Sequence, residues 1–414
     1  MSAIPQDQET PARRTLLVTL TGRDRPGVTS RLFTELSRFP LVVVDTGQIV
    51  LRDRLILGVL VALENADAAS ELSLRDAVAE VGRELRLEVE VAPGRDDEAG
   101  LVSAPLHVTV LGAPLRPAAV AGIAGAIAAS GANIDRIERL ASEPVTCVEL
   151  EVSGAEPDAL RAALNAAAAS AGVDVAVQRS GLYRRAKRLV VMDVDSTLVQ
   201  GEVIEMLAEH AGCGTAVAAI TERAMRGEID FAQSLRERVG LLAGLPDTVF
   251  AEVRASLRLT AGARTLVRTL KRLGYLVAIV SGGFSQVTDT LVADLGLDFA
   301  AANTLEVVDG RLTGNLVGGI VDRPGKAAAL RRYAEIAGVP LAQTIAIGDG
   351  ANDLDMLGVA GLGVAFNAKP VVRKAADTAL NVPYLDAILY LLGISRDEID
   401  AADAEDDAGV QPAR

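Results

Sequence analysis

Leu189-Val190-Val191-Met192 runs straight into Asp193-Val194-Asp195-Ser196-Thr197, and the change of character at residue 193 decides the fold. Four apolar residues without alternation read as a strand covered on both faces. Two later runs end the same way: Leu276-Val277-Ala278-Ile279-Val280 meets Ser281, and Thr344-Ile345-Ala346-Ile347 meets Gly348-Asp349. Helical stretches lie between them, so the pattern predicts an α/β core, a parallel sheet with helices on both faces. The ligand crevice of such a sheet lies at the carboxyl ends of its strands, where these polar residues stand. The stretch from Gly201 to about Leu259 is rich in helix formers and predicts an inserted helical cap over about 201–259.

Two carboxylates at i and i+2 where a strand ends can face one crevice. Asp193 can attack phosphorus as a nucleophile. Asp195 can give a proton to the leaving oxygen and later take one from water. The same five residues also fit a plain strand-to-helix turn capped by Asp and Ser. In Gly348-Asp349-Gly350-Ala351-Asn352-Asp353, Asp349 can join Asp193 on a hard divalent ion, while Asp353 also fits as a helix N-terminal acid. Ser281-Gly282-Gly283 offers a hydroxyl and backbone N–H groups to a phosphoryl oxygen, or simply caps a helix. Lys326, in Arg323-Pro324-Gly325-Lys326, can neutralise phosphate charge.

The order, spacing and strand-end placement of these segments resemble the four motifs of the haloacid-dehalogenase-like phosphotransferases, over about 188–392. The resemblance implies a Rossmann-like core and a magnesium ion held by Asp193, Asp349 and the main-chain carbonyl of Asp195. It also implies that Asn352 and Asp353 position groups around metal and phosphate. Within the cap, Glu202, Met225, Phe231 and Ser234-Leu235-Arg236-Glu237-Arg238-Val239 narrow the likeness to the phosphoserine phosphatases. That family's pattern implies that Glu202 meets the substrate ammonium, Arg238 its carboxylate, and that Met225 and Phe231 shield the site. An acid and a bidentate Arg are what a zwitterion requires. The implied substrate is O-phospho-L-serine, and the implied reaction is the last step of serine synthesis. A related small-molecule phosphatase, or a regulatory protein with a vestigial core, also fits these residues.

The N-terminal half repeats itself. Each copy reads βαββαβ, the ferredoxin-like arrangement, with Gly22 and Asp45 of the first answering to Gly112 and Asp135 of the second. The copies resemble ACT domains, which implies binding of serine or another amino acid and assembly into a homodimer. Gly22-Arg23-Asp24-Arg25-Pro26-Gly27 fits that family's ligand loop, with Asp24 and Gly27 as candidate contacts. Gly112-Ala113-Pro114-Leu115-Arg116-Pro117 departs from it. The expected domains are 14–93 and 104–180 (ACT-like), 186–394 (phosphatase) and an acidic, frayed tail over 395–414.

Composition sets the outer limits. The 414 residues carry a formal charge of −14, which argues against nucleic acid as a partner. With two Cys and two His, a disulfide framework, a Cys-based zinc site and a His-rich metal site are all excluded, and oxygen must dominate any metal shell. The polar first residues predict no signal peptide. The stretch 118–134, mostly Ala and Gly, predicts helix packing rather than a membrane span. The expectation is a cytoplasmic enzyme, with Cys147 and Cys213 as packing residues.

Overall fold

The computed structural model describes residues 14–63, 68–94, 106–181, 184 and 186–407. Residues 95–105, between the two repeats, and residues 408–414 of the expected tail lie outside the described residues. The chain divides into two units, residues 1–101 and 102–414.

The first unit holds β1 (Thr15–Arg23), β2 (Leu41–Leu51), β3 (Arg54–Leu63) and β4 (Glu88–Pro93), with burial alternating along β1 and β3. They pair antiparallel in the order β2-β3-β1-β4. Leu16, Val18 and Leu20 on one face of β1 bury against Leu32 of α1 (Val28–Leu36) and Val78 of α2 (Ala68–Leu85). Gly27 takes a left-handed φ of 95° at the start of α1, a conformation that favours glycine.

The second unit begins with the other βαββαβ copy: β5 (Leu106–Gly112), α3 (Pro117–Ala129), β6 (Asn133–Ala141), β7 (Thr146–Ser153), α4 (Pro157–Ala171) and β8 (Asp174–Arg179), in the order β6-β7-β5-β8. Val108, Ile123, Leu150 and Leu160 form part of this copy's own buried cluster, while other residues of its sheet join the apolar core of the C-terminal α/β region. Leu111, Leu140, Val145, Cys147 and Ala176 belong to the same buried cluster as Val364, Leu380, Leu389 and Tyr390. Asp174 accepts hydrogen bonds from Asn381 N (2.6 Å), Asn381 Nδ2 (2.6 Å) and Val382 N (3.1 Å).

The core sheet runs β12 (Arg311–Val317), β11 (Phe299–Val308), β10 (Leu276–Phe284), β9 (Leu189–Met192), β13 (Thr344–Gly348), β14 (Gly363–Phe366), β15 (Thr378–Leu380). All neighbours are parallel except β11 and β12. Strand order reverses at β9, which has β10 on one side and β13 on the other. That reversal opens the crevice in which doubly wound sheets bind ligands. The cap consists of helices Val203–His210, Gly214–Met225, Phe231–Gly240 and Val249–Ser256, packed around their own apolar cluster with Leu305 and Leu312. Among the described residues, no helix is long and apolar enough to cross a membrane.

The acidic tail corrects the sequence reading. Residues Arg396–Asp407 form a helix. Asp403 pairs with Arg268 and Arg272, and Asp406 with Arg272, both arginines lying on helix Ala263–Arg272. Arg396 bonds Asp386 and Asp400, and Ser395 with Glu398 closes the helix start. Self-repulsion of the acids is offset by cations that sit far away in sequence.

Candidate active site

Register places the reactive residues together. Met192 is level with Ile279 on one neighbour and Ile347 on the other. Asp193 is one residue beyond that row, and Ser281 and Asp349 are two beyond. The chain turns at once after Asp193: Ser196 adopts a left-handed φ of 57°, and its N–H bonds Gly201 O at 3.0 Å. Residues 194–198 coil tightly enough to bring Asp195 round beside Asp193 rather than along a strand.

Lys326 Nζ donates to Asp193 Oδ1 at 2.7 Å and to Asp353 Oδ1 at 2.6 Å, and all three side chains are buried. Val194 N–H also bonds Asp193 Oδ1 (2.8 Å), so among the described residues both contacts of this carboxylate fall on one oxygen. Asp353 Oδ2 accepts from Gly350 N–H at 2.9 Å. Asp195 is held at both oxygens, Oδ1 by Val203 N–H at 2.7 Å and Oδ2 by Ser281 Oγ at 3.0 Å. A Cβ on Gly283 would come 2.9 Å from Asp195 Oδ2, so this position must be bare. The Gly283 N–H already donates to Ser281 Oγ (2.7 Å), which corrects the expectation that it stands open.

Negative charge is in excess. Oxygens of Asp193, Asp349 and Asp353 lie within 4.8 Å of one another. Burial, then the charge of Asp353, raises the Asp193 carboxyl well above its ordinary range and pushes Asp349 up to about 6. Burial opposes the Lys326 ammonium, but Asp193 and Asp353 outweigh it and hold its pKa above the ordinary lysine value. One buried cation among these carboxylates leaves room for a second, and an all-oxygen set suits a hard divalent ion.

Residues 190–358 match the haloacid dehalogenase-like hydrolase family, and residues 14–92 and 105–178 each match an ACT domain. Over 401 residues the chain is 60% identical to the phosphoserine phosphatase of Streptomyces coelicolor, covering 97% of each. This chain belongs to the phosphoserine phosphatase family. It is also 53% identical over 401 residues to a phosphoserine phosphatase of Mycobacterium tuberculosis, across 96% of this chain and 97% of that one. A crystal structure of a probable phosphoserine phosphatase from Vibrio cholerae, in unliganded form, aligns with a TM-score of 0.57 and 36% identity, over 73% of this chain and 89% of that one.

In this member of the phosphoserine phosphatase family, residues at the start of the cap and on its helices stand beside the cluster. Glu202 precedes helix Val203–His210 and accepts from Ser196 Oγ at 3.1 Å. Burial, then the charge of Asp195, pushes its carboxyl up to about 7. Arg238 stands in the last turn of helix Phe231–Gly240, where its Nε donates to Ser234 O (3.3 Å). Its charge lies within electrostatic reach of both Glu202 and Asp195. Phe231 Cζ sits against Gly282, 3.1 Å from where a Cβ would be. Asn352 lies over Gly350 and is half-buried. Met225 ends helix Gly214–Met225, and its side chain lies outside the described residues. Asp24 and Gly27 belong to the first unit, where Asp24 is exposed and its N–H bonds Asp53 O at 2.8 Å.

Two contributors escaped the sequence reading. Thr197 Oγ1 donates to Asp349 Oδ1 at 3.0 Å, tying the end of the first motif to the last. Ser196 orients Glu202. Both stand inside the quoted motif, yet only the left-handed turn at Ser196 reveals which way each hydroxyl points.

Proposed function

We propose that this chain hydrolyses O-phospho-L-serine to L-serine and phosphate in two steps at Asp193. The observation that carries this reading is Lys326 held between Asp193 and Asp353 at the switch point of the sheet. Lys326 cancels charge so that an anionic phosphoryl group can approach an anionic carboxylate. Asp193 Oδ2, which lacks a partner among the described residues, attacks phosphorus, and the phosphorus–oxygen bond to serine breaks. Asp195 is suited to protonate the departing serine oxygen, because burial raises its carboxyl and Ser281 and Val203 fix its position. Asp195 then takes a proton from water as that water attacks phosphorus. The bond to Asp193 breaks, phosphate leaves, and both carboxyls return to their starting states.

Magnesium fits the site through Asp193, Asp349 and the main-chain carbonyl of Asp195, and would supply charge neutralisation and polarisation of the phosphoryl group. Asp353 serves Lys326 instead, since its Oδ1 is taken. Glu202 gives the substrate ammonium a half-buried counter-charge, and Arg238 grips the carboxylate. Phe231 and Met225 exclude water. The N-terminal repeats sense serine or another amino acid, with Asp24 and Gly27 as contacts of the first. The chain works in the cytoplasm as a homodimer. The long edge strand β2, which exposes Val42, Val43, Val44, Ile49 and Leu51, supports pairing with a second copy.

Phosphate release from phosphoserine, phosphothreonine and sugar phosphates tests the reading. Magnesium-dependent turnover selective for phosphoserine, abolished by EDTA and restored by magnesium, is the expected result. Equal turnover of the sugar phosphates would overturn the substrate assignment.

A further inference from the structure

β10 and β11 pair regularly from Ala278 opposite Phe299 to Val280 opposite Ala301, and pairing resumes only at Phe284 opposite Asn303. Three residues of β10, Ser281, Gly282 and Gly283, thus stand against one residue of β11, Ala302. The bulge pushes this turn toward Asp195, and a bulge breaks the ladder, so backbone groups there need other partners.

One side chain supplies the partner of the Gly282 carbonyl. Asn303 is 1% exposed. Its Nδ2 donates to Gly282 O at 2.8 Å, and its Oδ1 accepts from Val321 N–H at 2.8 Å. The carboxamide can satisfy a carbonyl and an N–H only in this orientation. Val321 immediately precedes Asp322, whose Oδ1 accepts from Gly325 N–H at 2.9 Å and caps helix Arg323–Ile336. Lys326 lies in the first turn of that helix. A Cβ on Gly282 would stand 3.9 Å from Val321 O, so the two segments run side by side above Asn303.

We propose that Asn303 is a positioning residue for phosphoryl transfer, fixing the Ser281–Gly283 turn relative to Lys326. The inference rests on the reading of the site as an Asp193-centred phosphatase. Among the described residues, the side-chain hydrogen bonds of Asn303 go to Gly282 and Val321 and not to Asp193 or Asp195. Its two hydrogen bonds set the spacing between Ser281, which holds the proton donor Asp195, and Lys326, which neutralises charge at Asp193. Such spacing errors act on the transition state more than on the grip of the amino-acid end, which belongs to Glu202 and Arg238.

Two variants of the full-length enzyme test this, with rates referred to folded protein measured by circular dichroism. Asn303→Ala is expected to lower kcat about 10- to 100-fold. KM for phosphoserine should stay within about threefold, the split expected when an interaction specific to the transition state is lost. Asn303→Asp separates geometry from bulk. Ionised, the new carboxyl repels the Gly282 carbonyl; protonated, it donates to that carbonyl and still accepts from Val321 N–H. The ratio of variant to parent kcat should therefore rise as pH falls. If Asn303→Ala does not fold, the acid rescue of Asn303→Asp carries the test alone. Unchanged kcat in folded variants, a loss confined to Tm, or a pH-independent ratio would each overturn the proposal. A parent enzyme inert on phosphoserine but active on para-nitrophenyl phosphate would sink the substrate reading instead, and the kcat comparison would proceed on that second substrate.

Discussion

Lys326 Nζ lies 2.7 Å from Asp193 Oδ1, an ion pair in which the lysine is 1% and the aspartate 5% exposed. A pair this deep is justified by the chemistry it serves more than by stability, since burying two charges costs desolvation that attraction barely repays. Removing one partner is another matter. Lys326→Met leaves Asp193 and Asp353 facing each other without compensation, and should destabilise the fold by about 3–5 kcal/mol. Calorimetric unfolding would read this as a lowered Tm, with turnover lost in the remaining folded enzyme.

Asp193→Asn keeps the volume and removes the attacking charge. Turnover should fall by at least about 10⁴-fold while circular dichroism stays native. Ordinary activity in this variant would contradict the role assigned to Asp193.

Asp195→Asn should slow phosphoserine hydrolysis by about 10²–10⁴-fold, the range for a lost general acid–base. The first step on para-nitrophenyl phosphate, whose leaving group needs no proton, should suffer much less. A burst experiment separates the two, and equal loss in both would exclude Asp195 as the acid.

The cap side chains should act on recognition. Arg238→Ala removes a charge-assisted contact worth about 1.5–3 kcal/mol, so KM for phosphoserine should rise about 10- to 100-fold. Glu202→Gln should do the same through the ammonium end. Substrates lacking the amino acid moiety should be indifferent to both changes, and steady-state kinetics on such a phosphomonoester checks this.

The joint between the second repeat and the core gives a prediction away from the chemistry. Asp174 is buried and accepts three hydrogen bonds from Asn381 and Val382. Asp174→Ala strands backbone N–H groups at that seam and should cost about 2 kcal/mol or more. A fall in Tm with KM unchanged is the expected pattern.

Much of this arrangement was legible in the sequence because its physics is local. Continuous apolar runs marked β9, β10 and β13, and the acid or hydroxyl closing each run marked the crevice. The βαββαβ rhythm appeared twice with matching Gly22 and Gly112. What escaped depends on partners remote in sequence. β14 and β15 are only four and three residues long and carry too little pattern to read. The helix Arg396–Asp407 looked like a repelling tail because Arg268 and Arg272, which neutralise it, lie more than a hundred residues earlier. Thr197 read as part of a motif, while its bond to Asp349 spans 152 positions and depends on both the pairing of β9 with β13 and the left-handed turn at Ser196.

Rapid acid quenching during turnover of phosphoserine, followed by peptide mass spectrometry, tests the central claim most directly. The predicted result is one phosphoryl group on the peptide carrying Asp193, on that side chain, formed and consumed at rates compatible with turnover. A phosphoryl group on any other residue, or turnover without a covalent adduct, would contradict it.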